Sequence, residues 1–196
     1  MAHPDKEQFA VMLRQRKHSE IVEEHILSGQ PFAFENDQPS YDLLRAEISR
    51  ELTVDVPAIH LVGSGQIGFS LAPEKFGTPF RPESDLDIAV VDSQMFDEAW
   101  MDMLRLGNAY YSLKQRVRDM LKQHRENNIY WGMMYPDSLP GVVRISSKWF
   151  SAFKGLSRNR QFASREVSGR LYRTRDHLVI HQEYSCAAVL KRLSKI

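Results

Sequence analysis

The nine residues SDLDIAVVD, 84 to 92, constrain this chain more than any others. They read as one short strand of apolar and branched residues into which two carboxylates are set one position apart. Strand side chains alternate faces with a period of two, so Asp85 and Asp87 point the same way, about 7 Å apart, while Leu86 and Ile88 point into the core. Two like charges on one face repel, and burying them unpaired is costly or raises a pKa. A divalent cation removes that penalty. Mg²⁺ takes hard oxygen ligands, commonly one or two carboxylates completed by substrate phosphates. The pair therefore reads as a Mg²⁺ or Mn²⁺ site for phosphoryl transfer, in which ions roughly 4 Å apart stabilise the attacking and leaving oxygens of an in-line displacement.

A second feature precedes it. VPAIHLVG, ending at Gly63, reads as a strand, and SGQIGFS after it is suited to open a short helix. A glycine at the turn lets backbone approach a phosphate closely. The Ser64 hydroxyl and the N–H groups that follow can donate to it, and a helix start there adds favourable charge.

Around this pair the pattern alternates strand and helix. Residues 5–27 have helical spacing (Phe9, Met12, Leu13, Ile21, Ile26), with Gly29 beyond the end. Residues 41–52, capped by Ser40, the stretch after a Ser93 cap, and AYYSLKQRVRDMLKQHRENN are also predicted helices. GVVRISSKW is short enough for a strand, KWFSAFKGL for a helical stretch, REVSGRLYRTR for a strand, and DHLVIHQEYSCAAVLKRLSK for a closing helix. The expected fold is mixed α/β (α+β), with a mixed sheet flanked by helices and further helices at both termini. The expected division is an N-terminal helical segment at 1–37 and a single compact unit at 38–196.

Composition excludes some classes. One cysteine, Cys186, forbids an internal disulfide framework and suits a reducing compartment. The N-terminus lacks an apolar signal core, and no apolar run approaches the roughly 20 residues of a membrane span, so a cytoplasmic location is expected. The net charge of +1 conceals an asymmetry: residues 1–143 sum to −8 and residues 144–196 to +9. Between Arg144 and Arg175, nine basic residues and the single acid Glu166 are interleaved with Trp149, Phe150, Phe153, Phe162 and Tyr172. Such a segment can meet a polyanion by charge and stacking, with an RNA or protein acceptor in view. The alternative is that the aromatics are core and the charges a solvated face. His177 and His181, four apart, share a helix face but have no third ligand at suitable spacing.

The order Gly-Ser after a first strand, then SDLDIAVV, resembles the signature of the DNA polymerase β-like nucleotidyltransferase superfamily, in particular its minimal nucleotidyltransferase domains. The likeness covers residues 40–92 best. It implies that Gly63 and Ser64 anchor a nucleoside triphosphate and that Asp85 and Asp87 bind the metals. The chain departs from that pattern twice: Ser64 and Asp85 stand 21 positions apart, lengthened by SLAPEKFGTPF, and the later strand that carries a third carboxylate in the family has none in GVVRISSKW. Glu166 is the favoured substitute for the catalytic base, with Asp176 following at the strand's end and a missing third acid as the alternative, and Arg158, Arg160, Arg170 and Arg173 are candidates for phosphate or acceptor contact. The resemblance implies transfer of a nucleoside monophosphate from an NTP to RNA, a protein or a small molecule, with a partner protein or a second copy supplying part of the site. A catalytically impaired nucleotide- or RNA-binding regulatory module stands as the other reading.

Overall fold

The computed structural model describes residues 3–159, 162 and 165–195. Helix α1 (Lys6–Gln15) opens with a capping box in which the Asp5 side chain accepts from Gln8 N–H and the Gln8 side chain from Asp5 N–H. It buries Phe9 and Leu13. Arg16 is extended and interrupts the helix expected over 5–27. The chain resumes as α2 (His18–Ile21) and runs into a π-helical turn, Val22–Ile26, burying Ile21, Val22 and Ile26. Helix α3 (Gln38–Leu52) begins three residues earlier than expected because Asp37, not Ser40, caps it.

The sheet comprises β1 (Ile59–Val62), β2 (Leu86–Val91), β3 (Met133–Met134) and β4 (Val167–Tyr172), in the order β1-β2-β4-β3. β1 and β3 run antiparallel to their neighbours; the central pair β2 and β4 is parallel. A parallel pair needs a long crossover, here containing α5 (Ser93–Arg105, capped by Asp92), α6 (Gln115–Asn127), β3 and α7 (Arg144–Arg158). The helix expected from Ala109 starts only at Gln115, and Gly107–Ser112 is a 3₁₀ turn.

The strand expected at GVVRISSKW is instead the beginning of α7. Ile145, Trp149, Ala152, Phe153 and Leu156 recur at helical spacing, and all but Ile145 are fully buried. One helix takes up both the expected strand and the helical stretch after it.

Both sheet faces are covered. Ile59, Leu61, Leu86, Ile88, Val90, Val167 and Leu171 share one apolar cluster with residues of α3, α5 and α7. Val62, Ala89, Met133 and Tyr172 share the other with α1, α2 and the last helix, α8 (Arg175–Leu193). Among the described residues no helix is long and apolar enough to cross a membrane.

Candidate functional site

The register of β1 and β2 decides the geometry. Val62, the last residue of β1, pairs with Asp87, so the turn that follows lies beside the carboxylate. Gly63 has φ 67° and ψ −150°, a combination essentially reserved for glycine. A Cβ built there would lie 3.0 Å from Asp87 Oδ2. Conformation thus favours glycine here, and a side chain would also crowd the carboxylate. The short helix α4 (Ser64–Ile67) follows, with the N–H groups of Gln66 and Ile67 donating to Gly63 O. It is held down by burial of Ile67, by the close packing of Gly65 on Leu61 and Leu86, and by a hydrogen bond from Gln66 Nε2 to Ser28 O at 3.1 Å.

Asp87 is half-buried within β2, whereas Asp85 is exposed one residue before the strand begins. Across the parallel ladder, Asp87 pairs with Ser168, whose hydroxyl donates to Asp87 Oδ1 at 3.0 Å. One carboxylate oxygen is therefore anchored by a neighbouring strand and the other faces the Gly63 turn. Ser168 was not legible as a site residue, though counting back by two from Arg170 places both on one face of β4. Glu166 lies at the next same-face position toward the strand's start; its carbonyl accepts from Leu86 N–H at 2.8 Å and its side chain is exposed.

Arg170 is half-buried on the same face, its guanidinium 5.3 Å from the centroid of the Tyr135 ring and within the field of Asp87. Beyond it, the Tyr172 hydroxyl and His181 Nδ1 are 3.0 Å apart. Burial pushes the Tyr172 phenol up to about 12 and, with a smaller contribution from Arg170, the His181 imidazole down to about 4, so both are neutral near pH 7. The two helical histidines noted in the sequence part company: His181 turns to Tyr172, and His177 Nδ1 lies 2.6 Å from the Thr174 hydroxyl that caps α8.

Among the described residues, the other two candidate arginines are placed elsewhere. Arg158 is exposed at the end of α7, a helix on the opposite sheet face, although its neighbour Ser157 is hydrogen-bonded to Val167 at the start of β4. Arg173 is paired with Asp97 at 2.9 Å. Arg160 lies outside the described residues. The interleaved aromatic reading of 144–175 is corrected: Trp149, Phe153, Phe162 and Tyr172 are core, and of the five only Phe150 is exposed. Basic residues of that segment are engaged locally, Arg144 with Asp102, Lys148 with Leu52 O and Thr53, and Arg175 with Glu23.

No family model, curated protein or solved structure matches this chain.

Among the described residues no three His, Cys, Asp or Glu side chains converge as a metal-holding group. Asp85 and Asp87 carry hard oxygen donors of the type a divalent cation takes.

Proposed function

We propose that the chain is a metal-dependent nucleotidyltransferase with a polymerase β-like core, moving a nucleoside monophosphate from an NTP to an acceptor hydroxyl. The observation that carries this reading is the nearness of the Gly63 turn to Asp87 Oδ2, close enough that a Cβ added at Gly63 would lie 3.0 Å from it. Phosphate-binding backbone and metal-binding carboxylate have to be neighbours for one Mg²⁺–triphosphate complex to engage both.

Asp85 and Asp87 would hold Mg²⁺ or Mn²⁺, which when bound neutralises phosphate charge in an in-line displacement. The Ser64 hydroxyl and adjacent backbone N–H groups receive the β- and γ-phosphates, and the Arg170 guanidinium adds positive charge beside Asp87. Ser168, by fixing one oxygen of Asp87, keeps the other aimed at the turn. An acceptor oxygen forms its bond to the α-phosphorus as the bond to the β-phosphate oxygen breaks. Pyrophosphate leaves, and the acceptor's proton passes to a base, for which Glu166 is the carboxylate at the mouth of the sheet.

A second reading has its own observation. The β4 position directly across from Asp87 holds Ser168, not an acid. A nucleotide-binding module with little turnover fits that substitution.

Incubation with each α-labelled NTP, Mg²⁺ or Mn²⁺ and a cell extract separates the two. Transfer of label to an acceptor, lost in Asp87→Ala, is the expected result. Saturable Mg²⁺–NTP binding by calorimetry with no transfer would favour the module, and absence of both would end the nucleotide reading.

A further inference from the structure

The periodicity of α7 divides it cleanly. Trp149, Ala152, Phe153 and Leu156 are buried in the core, and every exposed residue of the helix falls on the opposite side. At 3.6 residues per turn, Ser147, Phe150, Ser151, Lys154, Gly155 and Arg158 form one stripe, with Arg144 and Lys148 toward its N-terminal end. The helix holds four cations and no acid, whereas every other described helix of ten or more residues carries at least one acid. Arg144 is neutralised by Asp102. Lys148 bonds only neutral oxygens, Leu52 O and Thr53 Oγ1, and keeps its charge. Among the described residues no ion pair includes Lys154 or Arg158. Lys154 Nζ lies 5.1 Å from the centroid of the Phe150 ring, which is 52% exposed.

The stripe also has a direction. Arg158 ends the helix, and beside it the Ser157 hydroxyl accepts from Val167 N–H at 2.9 Å, at the start of β4. Val167 pairs with Leu86, and the Gly63 turn follows the residue paired with Asp87. Phe150, Lys154 and Arg158, four apart in sequence, therefore form a row about 12 Å long that ends where β2 and β4 begin, at the end of the sheet that holds the proposed site.

We propose that this stripe binds single-stranded nucleic acid and leads its end to the site as the acceptor. Phosphates meet Lys148, Lys154 and Arg158, and an unstacked base packs on Phe150, the combination of charge and ring on which single strands are held. The chemistry of the face selects this occupant. An anionic membrane takes a basic helix by its apolar side, and that side of α7 is already in the core. An acidic peptide would answer the charges and leave the ring without a base. A duplex keeps its bases stacked inside. The role as acceptor rests on the nucleotidyl-transfer reading; the binding does not.

Fluorescence anisotropy of a labelled single-stranded RNA of about 12 nucleotides, with the full chain, EDTA and no NTP, gives the test. Three phosphate contacts predict a log–log salt slope of about −2, so affinity falls roughly twentyfold between about 50 and 200 mM KCl. Lys154→Glu combined with Arg158→Glu lowers affinity at least about tenfold and flattens that slope. Phe150→Ala lowers affinity about fivefold or more and leaves the slope unchanged, because a stacked base releases no counterion. The same two-charge reversal on α6, Arg116→Glu with Lys122→Glu, changes affinity by less than about threefold, since exposed charges away from the contact are screened. All five positions are exposed, and unchanged far-UV circular dichroism confirms that the variants fold. A wild type without saturable binding, an α7 variant that binds as the wild type does, an α6 variant that weakens binding as much, or a duplex of the same sequence bound as tightly overturns the proposal. With neither metal nor NTP present, failure here is separate from failure of nucleotidyl transfer.

Discussion

Gly63→Ala tests the link between turn and carboxylate with a single methyl group. The backbone at Gly63 sits at φ 67° and ψ −150°, where a residue bearing a Cβ is strained by about 1–3 kcal/mol. The new methyl would also meet Asp87 Oδ2 at 3.0 Å, and Asp87 cannot swing away freely while Oδ1 is bonded to Ser168. For a chain of this length about 2–4 °C is lost per kcal/mol, so strain alone lowers Tm by roughly 2–12 °C. Differential scanning calorimetry reads the change, with Gly155→Ala as the control. Gly155 is an exposed helical glycine whose added Cβ meets nothing within 4 Å, and its replacement raises stability by about 0.5–1 kcal/mol. Introducing Gly63→Ala into Asp87→Ala isolates the contact, because the strain persists and the oxygen is gone; a coupling of about 0.5 kcal/mol or more is expected. An unchanged Tm for Gly63→Ala, or strict additivity with Asp87→Ala, would refute the reasoning.

Three further outcomes follow from the same structure. Gly169→Ala, whose Cβ would lie 2.2 Å from the Phe153 ring beneath α7, destabilises by about 1–3 kcal/mol in urea melts, and Phe153→Leu in the same chain recovers part of it. Burial holds His60, His124 and His181 near 4, below the ordinary 6.5, so the unfolded chain binds more protons in that interval. Stability is therefore full above about pH 6.5 and falls as pH drops toward 4; urea midpoints that stay level from pH 7 to pH 5 would contradict the assigned burial. Arg144 hydrogen-bonding holds Asp102 below its ordinary 3.8, a contribution present above that pH and lost as pH falls through the lower folded value. Arg144→Ala accordingly flattens the acid limb of the stability profile below about pH 4, measured as Tm against pH.

What could be read from the sequence was the part governed by local rules. β2 and the Gly63 turn announce themselves through branched residues and a glycine, and Leu86 and Ile88 enter the core as period-two alternation requires. GVVRISSKW misled because its two valines and an isoleucine favour a strand, while the residues that settle the matter, Trp149 at its end and Ala152, Phe153 and Leu156 beyond it, bury at helical spacing. The basic segment misled similarly: charge and ring content are visible in a sequence, but which way each ring points is a tertiary fact, and four of the five point inward. Ser168 was hidden for a related reason. A serine carries no signal of its own, and only the pairing of β2 with β4 brings it to Asp87.

That pairing has a consequence for biogenesis. Asp87 and its serine anchor are 81 positions apart, on strands joined through most of the crossover. As a nascent chain emerges, the turn and Asp87 exist long before the strand that fixes the carboxylate, so one of its oxygens is still unanchored and one sheet edge is open. The anchor forms only once Ser168 has been synthesised and β4 has taken its place between β2 and β3.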